Sequence, residues 1–156
     1  MSLDNYFRIG ETITLGSHTF TAEEIKAFAS RYDPQRFHVD EAEAEKSVFG
    51  RLCASGWHSC AVWMRLNLEH RDDFEGRAWT GPGPRPSFGP SPGLSNLKWL
   101  KPVYAGDTIT YTRRATGHRA LASRPGWRMM TIVAEAYNQD GDKVLEFENA
   151  VLVQAG

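Results

Sequence analysis

The segment Tyr32-Asp33-Pro34-Gln35-Arg36-Phe37-His38-Val39-Asp40 sets a carboxylate and an imidazole five residues apart. Pro34 keeps this stretch from continuing as plain helix. If Asp33 and His38 converge, they can hold one water and move its protons, which is the equipment for adding water to a substrate or removing it. Histidine titrates near neutrality, and a partly buried aspartate beside it can stay ionised. Taken singly, Asp33 also reads as a turn acid ahead of proline, and His38 as a hydrogen-bonded structural histidine.

A second chemical feature is Ser55-Gly56-Trp57. Ser55 is a good N-cap for the helix that follows, and the first N–H groups of a helix point at whatever anion approaches. Gly56 lacks a side chain, so a carbonyl can come close to its N–H and be polarised as charge develops on oxygen. The competing role for Gly56 is to let the helix start against packed neighbours. His58, on the first turn, either contacts substrate or is a core histidine.

These groups need elements to position them. Thr12–Thr19 reads as a strand with Gly16 marking a turn within it. Thr21-Ala22-Glu23-Glu24 reads as a capping box, followed by Ile25, Phe28, Ala29 and Tyr32 at helical spacing, and the helix should stop at Asp33. Glu41–Lys46 suits a short solvated helix. Gly56 to about Glu69 is apolar nearly all round, which predicts a helix buried on most sides. Thr80–Gly93 holds five prolines and four glycines in 14 residues. It is expected to be a long loop, either a disordered excursion or a cover over an apolar channel that presents Phe88 to substrate. Strands are expected over Leu94–Val103, Thr108–Thr112, Met129–Tyr137 and Val144–Val153, the last two joined by an Asp140-Gly141 hairpin. A helix-rich first half and an antiparallel second half make the chain α+β, with one long helix wrapped by one sheet.

Composition narrows the function classes. The 156 residues suit one domain over 1–156, and a net charge of −1 from 18 basic and 19 acidic residues gives no reason to expect nucleic acid. No stretch approaches the roughly 18 apolar residues of a membrane span. Met1–Gly10 has no apolar run that would make a signal peptide, and Cys53 and Cys60 are too few for a disulfide framework, so a reduced, cytoplasmic setting is expected. His18, His58, His70 and His118 share no ligand spacing, so no metal is expected. Cys53 and Cys60 read as packing residues. Arg113, Arg114, Arg119, Arg124 and Arg128 are either solvated or meet phosphates. Trp57, Trp63, Phe88 and Trp99 either fill the core or line an apolar tunnel.

These residues, in this order, resemble the MaoC-like dehydratase family, the (R)-specific enoyl-CoA hydratases of the hot-dog fold. The resemblance rests on the Thr21–Ala29 opening helix, the Asp33–Asp40 acid-x4-His segment, Phe49–Trp57 leading into the central helix, and Pro102-Val103-Tyr104-Ala105-Gly106-Asp107. It implies a curled antiparallel sheet around a long helix, and a trans-2-enoyl thioester substrate, usually of coenzyme A. Asp33 and His38 would act with Gly56 as catalytic groups, and Ser55, Trp57, His58 and Phe88 would bind substrate. No cofactor is implied, and one unit per chain implies a homodimer or an oligomer of dimers. The chain departs from the family pattern in three places. Arg36 stands where a second proline is common. Ser55-Gly56 replaces His-Gly. The position of a helical serine falls near Met64. These departures keep open a non-catalytic acyl-CoA-binding or partner subunit of the same fold. A thioesterase is the other reading, but it would want a carboxylate on the central helix, where only Glu69 lies, near the far end.

Overall fold

A computed structural model describes residues 1–71 and 76–155. A short helix α1 (Leu3–Phe7) leads into strand β1 (Thr12–Thr19). Then come α2 (Ala22–Tyr32), the one-turn α3 (Arg36–Val39), α4 (Glu41–Glu45) and the long α5 (Gly56–Glu69). The remainder is β2 (Ser87–Phe88), β3 (Gly93–Trp99), β4 (Thr108–Ala120), β5 (Trp127–Tyr137) and β6 (Lys143–Gln154). All strands pair antiparallel in the order β1-β4-β5-β6, and β2 and β3 follow one another along the free side of β6. This is the hot-dog arrangement, and the α+β class is as expected.

Periodicity explains why the sheet holds α5. Over 109–115 of β4 and 130–136 of β5 every second residue is buried, among them Ile109, Tyr111, Ala134 and Ala136. Strict alternation puts one face of a strand on a core and the other toward solvent. Helix α5 lies on the apolar face. Trp63 is fully buried, its indole N–H donates to the Thr112 carbonyl at 3.0 Å, and its ring meets Phe147 edge-on at 5.0 Å.

Gly16 does not turn the chain. It sits in a β-bulge, where the register between β1 and β4 slips at Thr14/Gly16 and the strand continues. The expected encirclement of α5 by core also fails over part of its surface. Trp57, Met64 and Leu68 are 52%, 40% and 54% exposed and fall on one helical stripe. Strand β3 is exposed along nearly its whole length. The proline-rich segment is not wholly a loop, because Ser87-Phe88 pairs with Gln154-Val153.

Two local devices hold the start of α5. The Ala54 N–H donates to the Val103 carbonyl at 2.7 Å, and the Ala105 N–H to the Leu52 carbonyl at 3.1 Å. Gly106, at φ +91°, closes the turn that presents this ladder, and the Asp107 carboxylate accepts the Tyr104 N–H at 2.9 Å. The Pro102–Asp107 motif is thus the clamp on the segment entering α5.

Candidate active site

The site forms where α2 ends, α3 turns and α5 begins. Thr21 caps α2 with both bonds of the capping box. The helix terminates at Asp33, whose φ/ψ of −155°/68° are no longer helical while its N–H still donates to the Ala29 carbonyl at 2.8 Å. Pro34 enforces that break. The single turn of α3 then directs His38 inward, where it is only 6% exposed. The Cys53 N–H donates to the Phe37 carbonyl at 3.2 Å and ties α3 to the strand-like segment before α5.

The acid and the imidazole do converge. Asp33 Oδ2 lies 3.4 Å from His38 Nε2. That is longer than the ~2.8 Å of a tight charge-assisted bond, so both atoms have room to share a third partner. The other imidazole nitrogen is committed: His38 Nδ1 is 2.6 Å from the Cys53 carbonyl oxygen. A carbonyl only accepts, so Nδ1 carries a proton and donates, and in the neutral ring Nε2 is left with the lone pair facing the cavity.

Asp33 is held on both oxygens. Gln35 donates its amide to Oδ1 at 2.7 Å, and the Ser55 hydroxyl donates to Oδ2 at 2.7 Å. Burial pushes the carboxyl pKa up, but the Gln35 and Ser55 hydrogen bonds and the neighbouring His38 outweigh it, and the net shift is downward. Ser55 itself is fully buried, and its oxygen also accepts the Trp57 N–H at 3.3 Å as the cap of α5. One hydroxyl therefore joins Asp33 to the N-terminus of α5.

These groups open on a cavity of about 560 Å³. Its polar end carries Asp33, His38, Ser55 and Gly56, and its walls include Phe37, Phe49, Trp57, Trp99, Leu100 and Val103. Among the described residues, the Gly56 N–H takes no hydrogen bond within the chain. Gly56 also has a steric role: a Cβ there would sit 2.2 Å from Trp99 Cε2, so the indole occupies the place of a side chain. An alanine at 56 is therefore not the mild change that glycine-to-alanine usually is. Lys101 lies at the rim, paired with Asp142 at 2.9 Å.

Two expected substrate contacts lie elsewhere in the chain. His58 is 7% exposed and stacks on Phe28 at 4.5 Å, with Phe20 edge-on at 4.9 Å. Its Nδ1 has no hydrogen-bond partner among the described residues, and burial lowers its pKa. Phe88 lines a separate cavity of about 250 Å³ with Met64, Leu68 and Val151, so within one chain the proline-rich segment does not border the acid-base pair. Trp63 is core, not tunnel.

Other readings also change. Cys53 does have an imidazole beside it, His38 Nδ1 at 3.7 Å from its sulfur, but that nitrogen carries the proton it donates to the Cys53 carbonyl, and burial pushes the thiol up to about 11. Arg113 is no surface arginine: it is 2% exposed and donates to the Asn67 side chain and to the carbonyls of Asn67 and His70 at the end of α5. Arg36 points to solvent and pairs with Glu43 at 3.7 Å, so replacing the family's proline does not intrude on the site. Sequence reasoning missed Gln35 and Ser59. Gln35, two residues after a candidate catalytic acid, carried a usable signal. Ser59 lines the cavity one turn below Ser55 and shares a 3.0 Å hydrogen bond with the buried Tyr111 hydroxyl, a pairing across 52 residues that no local pattern announces. Among the described residues no His, Cys, Asp or Glu cluster could hold a metal ion, and no helix is long and apolar enough to cross a membrane.

Known proteins share this architecture. The family profile described as "MaoC like domain" matches residues 5–136. A crystal structure of a MaoC-like dehydratase from Rhodospirillum rubrum is 30% identical, covers 100% of this chain and 98% of its own, and superimposes with a TM-score of 0.79. An (R)-hydratase from A. caviae involved in PHA biosynthesis is 24% identical over 95% of this chain and 96% of its own, with a TM-score of 0.66, a likeness of fold. The uncharacterised Bacillus subtilis protein YdeM is 29% identical over 99% of both chains. The profile match across most of the sequence and the full-length likeness to the R. rubrum dehydratase establish that this chain belongs to the MaoC-like dehydratase family of the hot-dog fold.

Proposed function

We propose that this protein catalyses the reversible hydration of a trans-2-enoyl thioester, of acyl-CoA type, to a 3-hydroxyacyl thioester. The carrying observation is the facing of Asp33 Oδ2 and His38 Nε2 at 3.4 Å beside the Gly56 N–H, which has no hydrogen bond among the described residues. A water between the two atoms gives one proton to Nε2 as its oxygen bonds to the β-carbon, while the ionised Asp33 orients its other O–H and stabilises the imidazolium. The double-bond electrons move toward the thioester carbonyl, and the Gly56 N–H with the α5 dipole stabilises the charge on oxygen. The imidazolium then returns its proton to the α-carbon. Water is consumed whole, the pair ends as it began, and no cofactor takes part in these steps. Dehydration runs the same path backwards.

The chain acts as one hot-dog unit over 1–156 and pairs as a homodimer, or an oligomer of dimers, in the cytoplasm. Support for pairing comes from the exposed β3 edge and the Trp57–Met64–Leu68 stripe, which a lone chain leaves in water. Phe88, remote from the pair in its own chain, would serve as a substrate contact only across such an interface. Purified protein mixed with crotonyl-CoA and longer enoyl-CoA thioesters tests the proposal through loss of enoyl absorbance. Tight acyl-CoA binding with no loss at any chain length would instead mark the non-catalytic acyl-binding module.

A further inference from the structure

Trp99 closes β3 at the exposed side of the sheet, yet its ring is built into the start of α5. A Cβ on Gly56 would meet three of its indole atoms at 2.2 to 2.5 Å. Trp57 meets the same ring edge-on, with centroids 5.1 Å apart. Both tryptophans line the site cavity while remaining about half exposed, 52% for Trp57 and 47% for Trp99. The polar end of the cavity and this apolar wall therefore adjoin at one residue, Gly56.

We propose that Trp99 is a specificity-determining residue: its indole, seated where residue 56 lacks a side chain, is the wall that selects the acyl group of the thioester bound at the Gly56 N–H. The inference rests on the hydratase reading above and names what that site selects. An acyl chain leaving a carbonyl anchored at Gly56 runs beside the indole. Apolar bulk is accepted only as far as the ring permits, because a packed wall rejects added volume by overlap. Phe37, Phe49 and Leu100 extend the wall that Trp99 begins, and an apolar acyl group fits this lining.

The test compares wild type, Trp99→Ala and Trp99→Phe on crotonyl-CoA and trans-2-octenoyl-CoA. In parallel it measures binding of the unreactive butyryl-CoA and octanoyl-CoA. Trp99→Ala should move the octenoyl-to-crotonyl ratio of kcat/KM by at least about tenfold toward the longer chain, with Trp99→Phe between. The binding ratio should move the same way. Gly56→Ala should be severe in wild type and cost less than about threefold more in the Trp99→Ala background, since the two side chains compete for one space. A uniform loss on both substrates with unchanged ratios, or an equal cost of Gly56→Ala in both backgrounds, overturns the selecting role. If wild type binds both acyl thioesters but hydrates no enoyl thioester, the hydratase reading fails alone, and the binding ratios still decide the role of Trp99. If wild type binds neither acyl thioester, both fall together.

Discussion

The two ends of the cavity are built by different physics. At the α2–α3–α5 junction hydrogen bonds hold the polar side chains in place: Gln35 and Ser55 hold Asp33, and the Cys53 carbonyl holds His38 through Nδ1, which leaves Nε2 to the cavity. Such a network is rigid, because each displacement breaks a hydrogen bond in a buried place. At the Trp57–Trp99 end the contacts are aromatic faces and edges on half-exposed residues. Apolar packing tolerates substitution and rearrangement far better than a satisfied polar network does. The polar end is therefore rigid and the aromatic end adjustable, with Gly56 between them.

The largest effects should come from breaking the polar end. Asp33→Asn and His38→Ala are each expected to lower turnover at least about 100-fold, the low end for a positioned acid-base group. Thermal unfolding and sedimentation should report folded, dimeric protein in both. Near wild-type turnover in either variant would remove that residue from the chemistry.

The apolar end leads to assembly. The native chain should sediment as a dimer at micromolar concentration, and Leu94→Lys on the exposed β3 edge should weaken that dimer at least about tenfold, since charge on an edge opposes strand or face pairing. A fully active wild-type monomer would show that the exposed stripe and edge are simply solvated.

Ser55→Ala sharpens the comparison by loosening the polar end without deleting the pair. One hydrogen bond to a carboxylate is worth ~1.5 kcal/mol or more, so turnover should fall about tenfold, with about 1 kcal/mol of capping lost as well. The Ser55 bond helps hold the Asp33 pKa below its ordinary value, so the acidic limb of the rate profile should move to higher pH in the variant. An unmoved limb would mean Ser55 acts only as a cap. The same sign governs stability. Asp33 contributes stability present above its unfolded pKa of 3.8 and lost as pH falls through its lower folded value.

The smallest effect concerns His58, buried without a partner on Nδ1. Its folded pKa lies below 6.5, so the unfolded chain binds more protons in that window, and stability declines as pH drops below 6.5. His58→Phe, placed in an already aromatic stack, should flatten the change in Tm between neutral and mildly acidic pH. An unchanged slope would assign the acid sensitivity to other groups.

Much of this was legible locally. The capping box at Thr21, the stop at Asp33, the span Gly56–Glu69 and the Asp140-Gly141 hairpin each rest on short-range rules, and each appears in the fold. So does the convergence of Asp33 with His38, because Pro34 and one helical turn bring them together within five residues. What was not legible depends on contacts far apart in the chain. Ser55 on Asp33, Trp99 on Gly56 and Tyr111 on Ser59 join segments that only the tertiary fold brings side by side. The place of Phe88 was hidden for the same reason: β2 pairs with the end of β6, which carries it within this chain to the other cavity. The composition of α5 suggested burial on most sides, but periodicity cannot say whether an apolar stripe faces its own sheet or something outside the chain.

The central claim is that Asp33 and His38 act on one water as a unit, and a double-mutant cycle tests it most directly. Turnover of the best enoyl-CoA thioester is measured for wild type, Asp33→Asn, His38→Ala and the double variant. Residues that act together are strongly non-additive, so the double variant should fall no more than about tenfold below the worse single variant. Losses that multiply, the double variant carrying the full product of both single effects, would contradict a shared water and separate the two residues into independent roles.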